Sequence, residues 1–192
     1  RGLGDVYKRQ DGSDEVGGGY LYFYRAPTEE AFESECRRLL KEIHLFDVLR
    51  SDRCISSHGL EPRTPFLDKQ VVETWMRAST ALRRPVKDVQ VEKDLLRSAF
   101  ADTGLLPDAV LWRRKEAFSD GVSSATDSWY SKVQHAASSL SLSSVVTNHN
   151  IPTSVESLWY RSVFNDLYGD SSASVIPHMW LPKWSGETTD PS

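Results

Sequence analysis

The chain of 192 residues has 39% hydrophobic and 26% charged side chains and a net charge of −4. That length supports one domain with a real core, and the acid surplus argues against a general nucleic-acid partner. No apolar run approaches the roughly 20 residues of a bilayer span, no secretory leader is apparent, and Cys36 and Cys54 make no disulfide framework, so a cytoplasmic protein with no membrane partner is expected. The spacing of those cysteines and of His44 and His58 is also wrong for a zinc site, which favours small buried thiols.

Residues 1–10 are polar, without periodicity, and read as a non-native or disordered leader outside the fold. Asp11-Gly12-Ser13-Asp14-Glu15 carries a helix-start signal: a hydroxyl can cap orphan amides, and acids suit the positive end. Gly17-Gly18-Gly19 weakens it, and a flexible acidic loop is the alternative. From Thr28, an N-cap candidate, Phe32, Cys36, Leu39, Leu40, Ile43, Phe46 and Leu49 recur at steps of three and four. They predict one amphipathic helix to about Arg53.

Residues 56–68 read as a connection in which Pro62 and Pro65 hold Arg63 extended. That arginine suits either an anion clamp or an internal salt bridge. Asp68 caps a helix with Val71, Val72, Trp75 and Met76 inward. A further helix is predicted over 87–100, with Val91, Leu95, Leu96, Ala99 and Phe100 inward, followed by a stop at Gly104 and a short helical turn from Pro107 to Trp112. Serine-rich 123–128 leads into a helix facing inward with Trp129, Val133, Ala136, Ala137 and Leu140. A loose loop over 138–150 follows. Thr153 and Glu156 form a capping box for a last helix that buries Val155, Leu158, Trp159, Val163, Phe164 and Leu167. Residues 170–174 read as a linker, and the aromatics of 178–184 suggest docking onto the body. No strong strand is evident.

Trp112–Gly121 interrupts this pattern: Arg113, Arg114 and Lys115 are consecutive cations, followed by Glu116. Three adjacent like charges suit either a solvated loop or a bound anion such as phosphate, gripped by forked arginines and a point-charge lysine. Carboxylates of the 11–15 turn could supply the acid half of a phosphoryl- or adenylyl-transfer site. A glycine-rich phosphate loop with its lysine is not found.

Five runs then carry a resemblance. They are Gly12-Ser13-Asp14-Glu15 with Gly18-Gly19-Tyr20-Leu21-Tyr22-Phe23; Phe46-Asp47-Val48-Leu49-Arg50-Ser51-Asp52-Arg53; Glu61-x-Arg63-x-Pro65-Phe66-Leu67-Asp68; Trp112-Arg113-x-Lys115-Glu116-x-Phe118-Ser119-Asp120-Gly121; and Pro182-Lys183-Trp184. In this order they resemble the glutamine-hydrolysing asparagine synthetases. The resemblance implies a mainly α chain: the truncated helical C-terminal portion of a pyrophosphatase-type nucleotide-binding α/β synthetase domain, spanning 11–184, with a flexible tail over 185–192.

It also implies the chemistry. ATP, with Mg2+, adenylates the side-chain carboxylate of aspartate to β-aspartyl-AMP, and ammonia drawn from glutamine displaces AMP to give asparagine. By resemblance Lys115 is the catalytic lysine, steadying charge on the phosphate and on the tetrahedral ammonia adduct. Asp14, in a turn with Gly12 and Ser13 that binds the adenylate, serves the Mg2+–pyrophosphate end. Asp11 stands where the family has the glutamate that supports the aspartyl-adenylate, and Gln10 where it has glycine. Arg63 and Glu116 are further site candidates, and Arg113 a phosphate contact. The family's N-terminal cysteine nucleophile and its Ser-Gly-Gly-x-Asp-Ser pyrophosphate loop are not in this sequence. The chain is therefore expected to be inactive alone, and its exposed stripe from Phe32 to Leu49 partly uncovered. A homodimer is possible in the full-length protein. Two other readings stand beside this: a non-catalytic helical module that binds nucleotide or a partner, and a related ligase such as a ring-closing β-lactam synthetase.

Overall fold

A computed structural model describes residues 10–116, 128–140, 148–175 and 177–186, and the backbone of 6–8. The expectations for Phe118–Gly121, for serine-rich 123–127 and for the end of the tail lie outside the described residues. The chain forms two compact units: Arg1–Lys115 with Lys183–Ser185, and Glu116–Pro182 with Gly186–Ser192. The described residues are mainly helical, and none of their helices is long and apolar enough to cross a membrane.

In the first unit, β1 (Val6–Lys8) pairs in parallel with β2 (Glu61–Arg63), Val6 opposite Glu61 and Lys8 opposite Arg63. Val6–Lys8, within the stretch read as a leader, thus pairs with the body, and two three-residue strands agree with the expectation of no strong strand. Three-residue strands are too short to show a period-two pattern, and a parallel pair must be joined by a long crossover. That crossover contains α1 (Ser13–Gly17), α2 (Glu29–Glu42) and α3 (Asp47–Ser56).

α1 begins after Gly12, whose φ of 90° only glycine adopts easily, and Gly18 at φ 62° ends it. Ser13 is therefore not the cap; it is the first helical residue and is buried. Thr28 does cap α2, its Oγ1 accepting from Ala31 N at 3.1 Å. Phe32, Cys36 and Leu39 are buried along α2. Phe23, fully buried, meets Phe32 edge-on with centroids 5.0 Å apart.

The single helix expected to Arg53 is broken. A 3-10 turn over Ile43–Leu45 follows α2, and Phe46 leaves helical geometry at φ −125°, ψ −100° before α3 restarts. Apolar spacing runs straight through this break, so the pattern could not reveal it. The stripe is closed over Phe32, Cys36 and Leu39, while Ile43, Phe46 and Leu49 are half-buried.

α4 (Lys69–Arg77) is capped by Asp68, whose Oδ1 accepts from Gln70 N at 2.8 Å; Trp75 and Met76 are half-buried, but Val71 is exposed. An unexpected α5 (Thr80–Arg83) brings the buried Arg83 guanidinium onto Glu33. The helix expected from Lys87 starts only as α6 (Asp94–Ala101). Before it, Val86 and Gln90 form a β-bridge, and Asp88 and Lys93 take left-handed φ of 61° and 58°. Leu95 and Leu96 are half-buried as expected, whereas Val91, Ala99 and Phe100 face solvent. Pro107 leads into α7 (Asp108–Leu111).

In the second unit, α8 (Trp129–Ser138) packs on α9 (Val155–Tyr168). Ser154 and Ser157 make the capping box of α9, not Thr153 and Glu156. Glu156 instead accepts from Gln134 Nε2 at 3.0 Å across the helix pair. Two helices bury only a narrow seam. Ala137 is buried and Leu158, Trp159 and Phe164 partly so, whereas Trp129, Ala136, Leu140, Val155, Val163 and Leu167 face solvent against expectation. The expected linker is a 3-10 turn, Asp170–Val175.

Candidate active site

The tight glycine-bounded α1 turns Asp14 toward two lysines distant in sequence. Lys93 Nζ lies 2.6 Å from Asp14 Oδ1, and Lys115 Nζ lies 3.8 Å from Oδ2. Lys93 Nζ also donates to Ser13 Oγ at 3.2 Å. All three charged side chains are about one-fifth exposed, so their fields are only partly screened. A Cβ at Gly19 would overlap Asp14 Oδ1 and Lys93 Cε, so the backbone must be bare there. One flank of Lys93 is dry. It lines a cavity of about 320 Å³ together with Ser13, Val16, Phe66, Trp75 and Leu96.

Lys115 Nζ also stands 5.6 Å from the centroid of the Tyr20 ring, a cation–π distance. The Tyr20 hydroxyl lies 2.6 Å from Glu15 Oε1 and 3.1 Å from Asp47 Oδ2. One phenolic proton cannot serve two carboxylates, so this trio is satisfied when a carboxyl carries a proton. Burial first, and the neighbouring Asp47 with it, push Glu15 up to about 7. The same burial and acids drive the Tyr20 phenol far above its ordinary range. Arg50 holds Asp47 at 2.6 Å, and Ser51 donates to Asp11 Oδ1 at 3.1 Å. The break before α3 thus sets two residues of that helix against the α1 turn.

Lys115 itself is held from below. Its backbone N–H donates to Glu92 Oε1 at 2.8 Å, and the same oxygen takes Arg97 Nη2 at 2.9 Å. Arg97 reaches on, its Nη1 donating to the carbonyls of Leu111 and of Arg113, the latter at 2.9 Å. Glu92 Oε2 accepts from the Tyr24 hydroxyl at 2.7 Å. Burial alone would raise the Glu92 carboxyl, but these hydrogen bonds and the guanidinium outweigh it and hold it below the ordinary value.

Of the residues singled out by sequence, Gly12, Ser13, Asp14 and Lys115 converge here, with Asp11 in the same turn. Arg63 lies on β2, well exposed, and pairs with Glu61 at 2.8 Å. Arg113 is exposed with its carbonyl on Arg97, and Glu116 is exposed and belongs to the second unit. Sequence reasoning missed Lys93, Glu92 and Arg97, which sit in a stretch that reads as an ordinary polar helix face. Among the described residues no group of three His, Cys, Asp or Glu side chains could hold a metal alone. The chemistry on offer is two ammonium groups and one carboxylate, suited to an incoming anion that displaces Asp14 from the lysines.

The asparagine synthase family model matches residues 25–188. The glutamine-hydrolysing asparagine synthetase of Gallus gallus is 45% identical over 188 residues, covering 95% of this chain. Those of Bos taurus and Homo sapiens are 41% and 42% identical over the same length. The chain spans 33% of the length of each of these relatives. A family match over most of the chain, and relatives this similar, lead to one conclusion: the chain belongs to the asparagine synthase family.

Proposed function

We propose that the enzyme carrying this chain forms asparagine from aspartate, ATP and ammonia drawn from glutamine, by way of β-aspartyl-AMP, and that this chain supplies part of the adenylation site. The observation that carries the reading is the convergence of Lys93 and Lys115 on Asp14. Adenylation gives an unreactive carboxylate a good leaving group, and it builds negative charge where phosphate oxygens and the attacked carbonyl meet. Ammonium groups set in advance around that charge lower the barrier most, because they need not reorganise during reaction.

Lys115 is the group that meets the reacting phosphate and the tetrahedral adduct. Its contact with Asp14 is the looser of the two and yields readily to a stronger anion. Lys93, closer to Asp14 and seated on Ser13, holds the pyrophosphate side. Mg2+ is commonly held by one carboxylate and the oxygens of a bound polyphosphate, and Asp14 is the carboxylate that fits. Bound there with ATP, the metal would neutralise charge on the departing pyrophosphate. Asp11, steadied by Ser51, faces the amino-acid part of the adenylate. Gly12 keeps the turn tight, Arg113 gives an outer contact to the phosphates, and Arg63 and Glu116 are carried as site candidates by the resemblance alone. The parallel pairing of β1 and β2 through a helical crossover supports an origin in a pyrophosphatase-type α/β domain.

The test is Lys115→Ala in that enzyme. Aspartate-dependent pyrophosphate release should fall on the order of 100- to 1,000-fold while glutamine hydrolysis continues. Lys115→Arg should fail as well, because a planar fork cannot replace a compact ammonium. Wild-type-like synthesis in either variant would remove the assignment.

A further inference from the structure

We infer that Glu92 and Arg97 are positioning residues for Lys115: a buried strut that fixes the amine over Tyr20 and Asp14 by gripping the main chain beneath it. The inference rests on the ligase reading for its kinetic test, but its geometry stands alone. The Glu92 side chain is 2% exposed and that of Arg97 15% exposed, so neither is an ordinary surface charge. Burying an ion pair is costly unless the remaining donors and acceptors are used, and here they are. Glu92 takes Arg97 and the Lys115 N–H on one oxygen and Tyr24 on the other. Arg97 spends its other donors on the Glu92 carbonyl, at 2.9 Å, and on the carbonyls of Leu111 and Arg113.

The pair grips the 111–115 segment through its backbone, at the carbonyls of Leu111 and Arg113 and the N–H of Lys115. The strut therefore fixes the path of the chain and leaves the Lys115 side chain to reach Asp14 and the Tyr20 ring. Lys115 has a four-carbon stem and, by itself, no preferred direction. Anchoring its own N–H, and the carbonyl two residues earlier, removes the backbone part of that freedom. What remains is a short swing between the Tyr20 face and Asp14. Glu92 and Lys93 are adjacent, so the turn that seats one amine on Ser13 also seats the anchor of the other. The left-handed φ of 58° at Lys93 is where the backbone reverses to do both.

The experiment uses Arg97→Ala and Arg97→Lys in the complete enzyme, with aspartate-dependent pyrophosphate release as the readout. Misplacing a reacting group by about 1 Å costs up to about 100-fold. Arg97→Ala should lower kcat roughly 10- to 100-fold with KM for ATP and aspartate changed less than about threefold. Added guanidinium should restore part of the rate, and an equal concentration of sodium chloride should not. Arg97→Lys should stay impaired, because an ammonium cannot fork onto Glu92 and two carbonyls. Combined with Lys115→Ala, Arg97→Ala should cost nothing more, since it acts only through that amine. An additive double variant, an unchanged kcat or a loss confined to KM would overturn the inference.

A second readout needs no catalysis. In this chain with its lysines carrying 13C-methyl labels, the Tyr20 ring should shift the Lys115 resonance, and Arg97→Ala should return it to an unstructured position with Lys93 unmoved. A Lys115 signal indifferent to Arg97→Ala would also overturn the strut. If the wild-type enzyme releases no pyrophosphate with aspartate, the ligase reading falls, and this spectrum still decides the strut.

Discussion

Glu15 shows how a single buried carboxyl in the α1 turn couples proton uptake to stability. It is 4% exposed and shares the Tyr20 hydroxyl with Asp47, and its pKa rises from 4.5 to about 7. The folded chain thus binds this proton more tightly than the unfolded one. The stabilisation is complete below about pH 4.5 and is lost as the pH climbs through about 7. Wild type should lose on the order of 2 kcal/mol between pH 5 and 8 by denaturant unfolding, and Glu15→Gln should lose much less. Parallel pH profiles for the two would show that Glu15 is not the titrating group. At this scale the sequence was only partly legible. Asp14 and Lys115 came from the resemblance, since spacing alone favoured a solvated loop as the account of three cations. Lys93 was hidden because its left-handed backbone, which directs it to Asp14, leaves no trace in hydrophobic periodicity. Glu92 and Arg97 were hidden because a buried ion pair and a solvated helix face use the same residue types.

Among the elements, boundaries were read well where a side chain makes them and poorly where the backbone does. Thr28 and Asp68 cap α2 and α4 as expected, because a hydroxyl or carboxylate beside the first turn satisfies orphan N–H groups wherever the fold lies. The break at Phe46 and the late start of α6 lie beside side chains that reach distant partners, Asp47 with Tyr20 and Lys93 with Ser13, which local spacing does not display. The box at α9 slipped by one residue: Thr153 with Glu156 fits the usual pattern, but Ser154 and Ser157 hold each other, with Ser157 N donating to Ser154 Oγ at 3.2 Å. Ser154→Ala should therefore destabilise the second unit by about 1 kcal/mol, and Thr153→Ala by far less. Thermal unfolding of the two variants separates them, and equal losses would return the cap to Thr153.

For the whole molecule, the C-terminal residues matter more to the first unit than their position suggests. Lys183 Nζ lies 2.8 Å from Glu35 Oε2, and the Trp184 ring sits 6.0 Å from Tyr22 and 6.5 Å from Phe23. The Glu35 side chain is fully buried; Arg38, Lys183 and Tyr22 together hold its carboxyl below the ordinary value against the opposing pull of burial. Trp184→Ala should cost about 2 kcal/mol, less than a fully buried tryptophan because the ring is half-exposed. An unfolding midpoint equal to wild type would show that the ring only rests there. That the tail docks was foreseeable from its aromatics; where it docks was not, because a tryptophan specifies an apolar surface and not an address.

Between Lys115 and Lys183 the polypeptide leaves the first unit and later returns to it. Each lysine is fastened on its own, one through Glu92 and the other through Glu35, so neither depends on the length of chain in between. Closure entropy grows slowly with length, about 0.6 kcal/mol for each doubling of a flexible connection, so a change of length at the joins of this excursion costs the two anchors little. The anchors at either end therefore tolerate a change of length within this excursion, whereas the carbonyls of Leu111 and Arg113 just before it are held in place by Arg97.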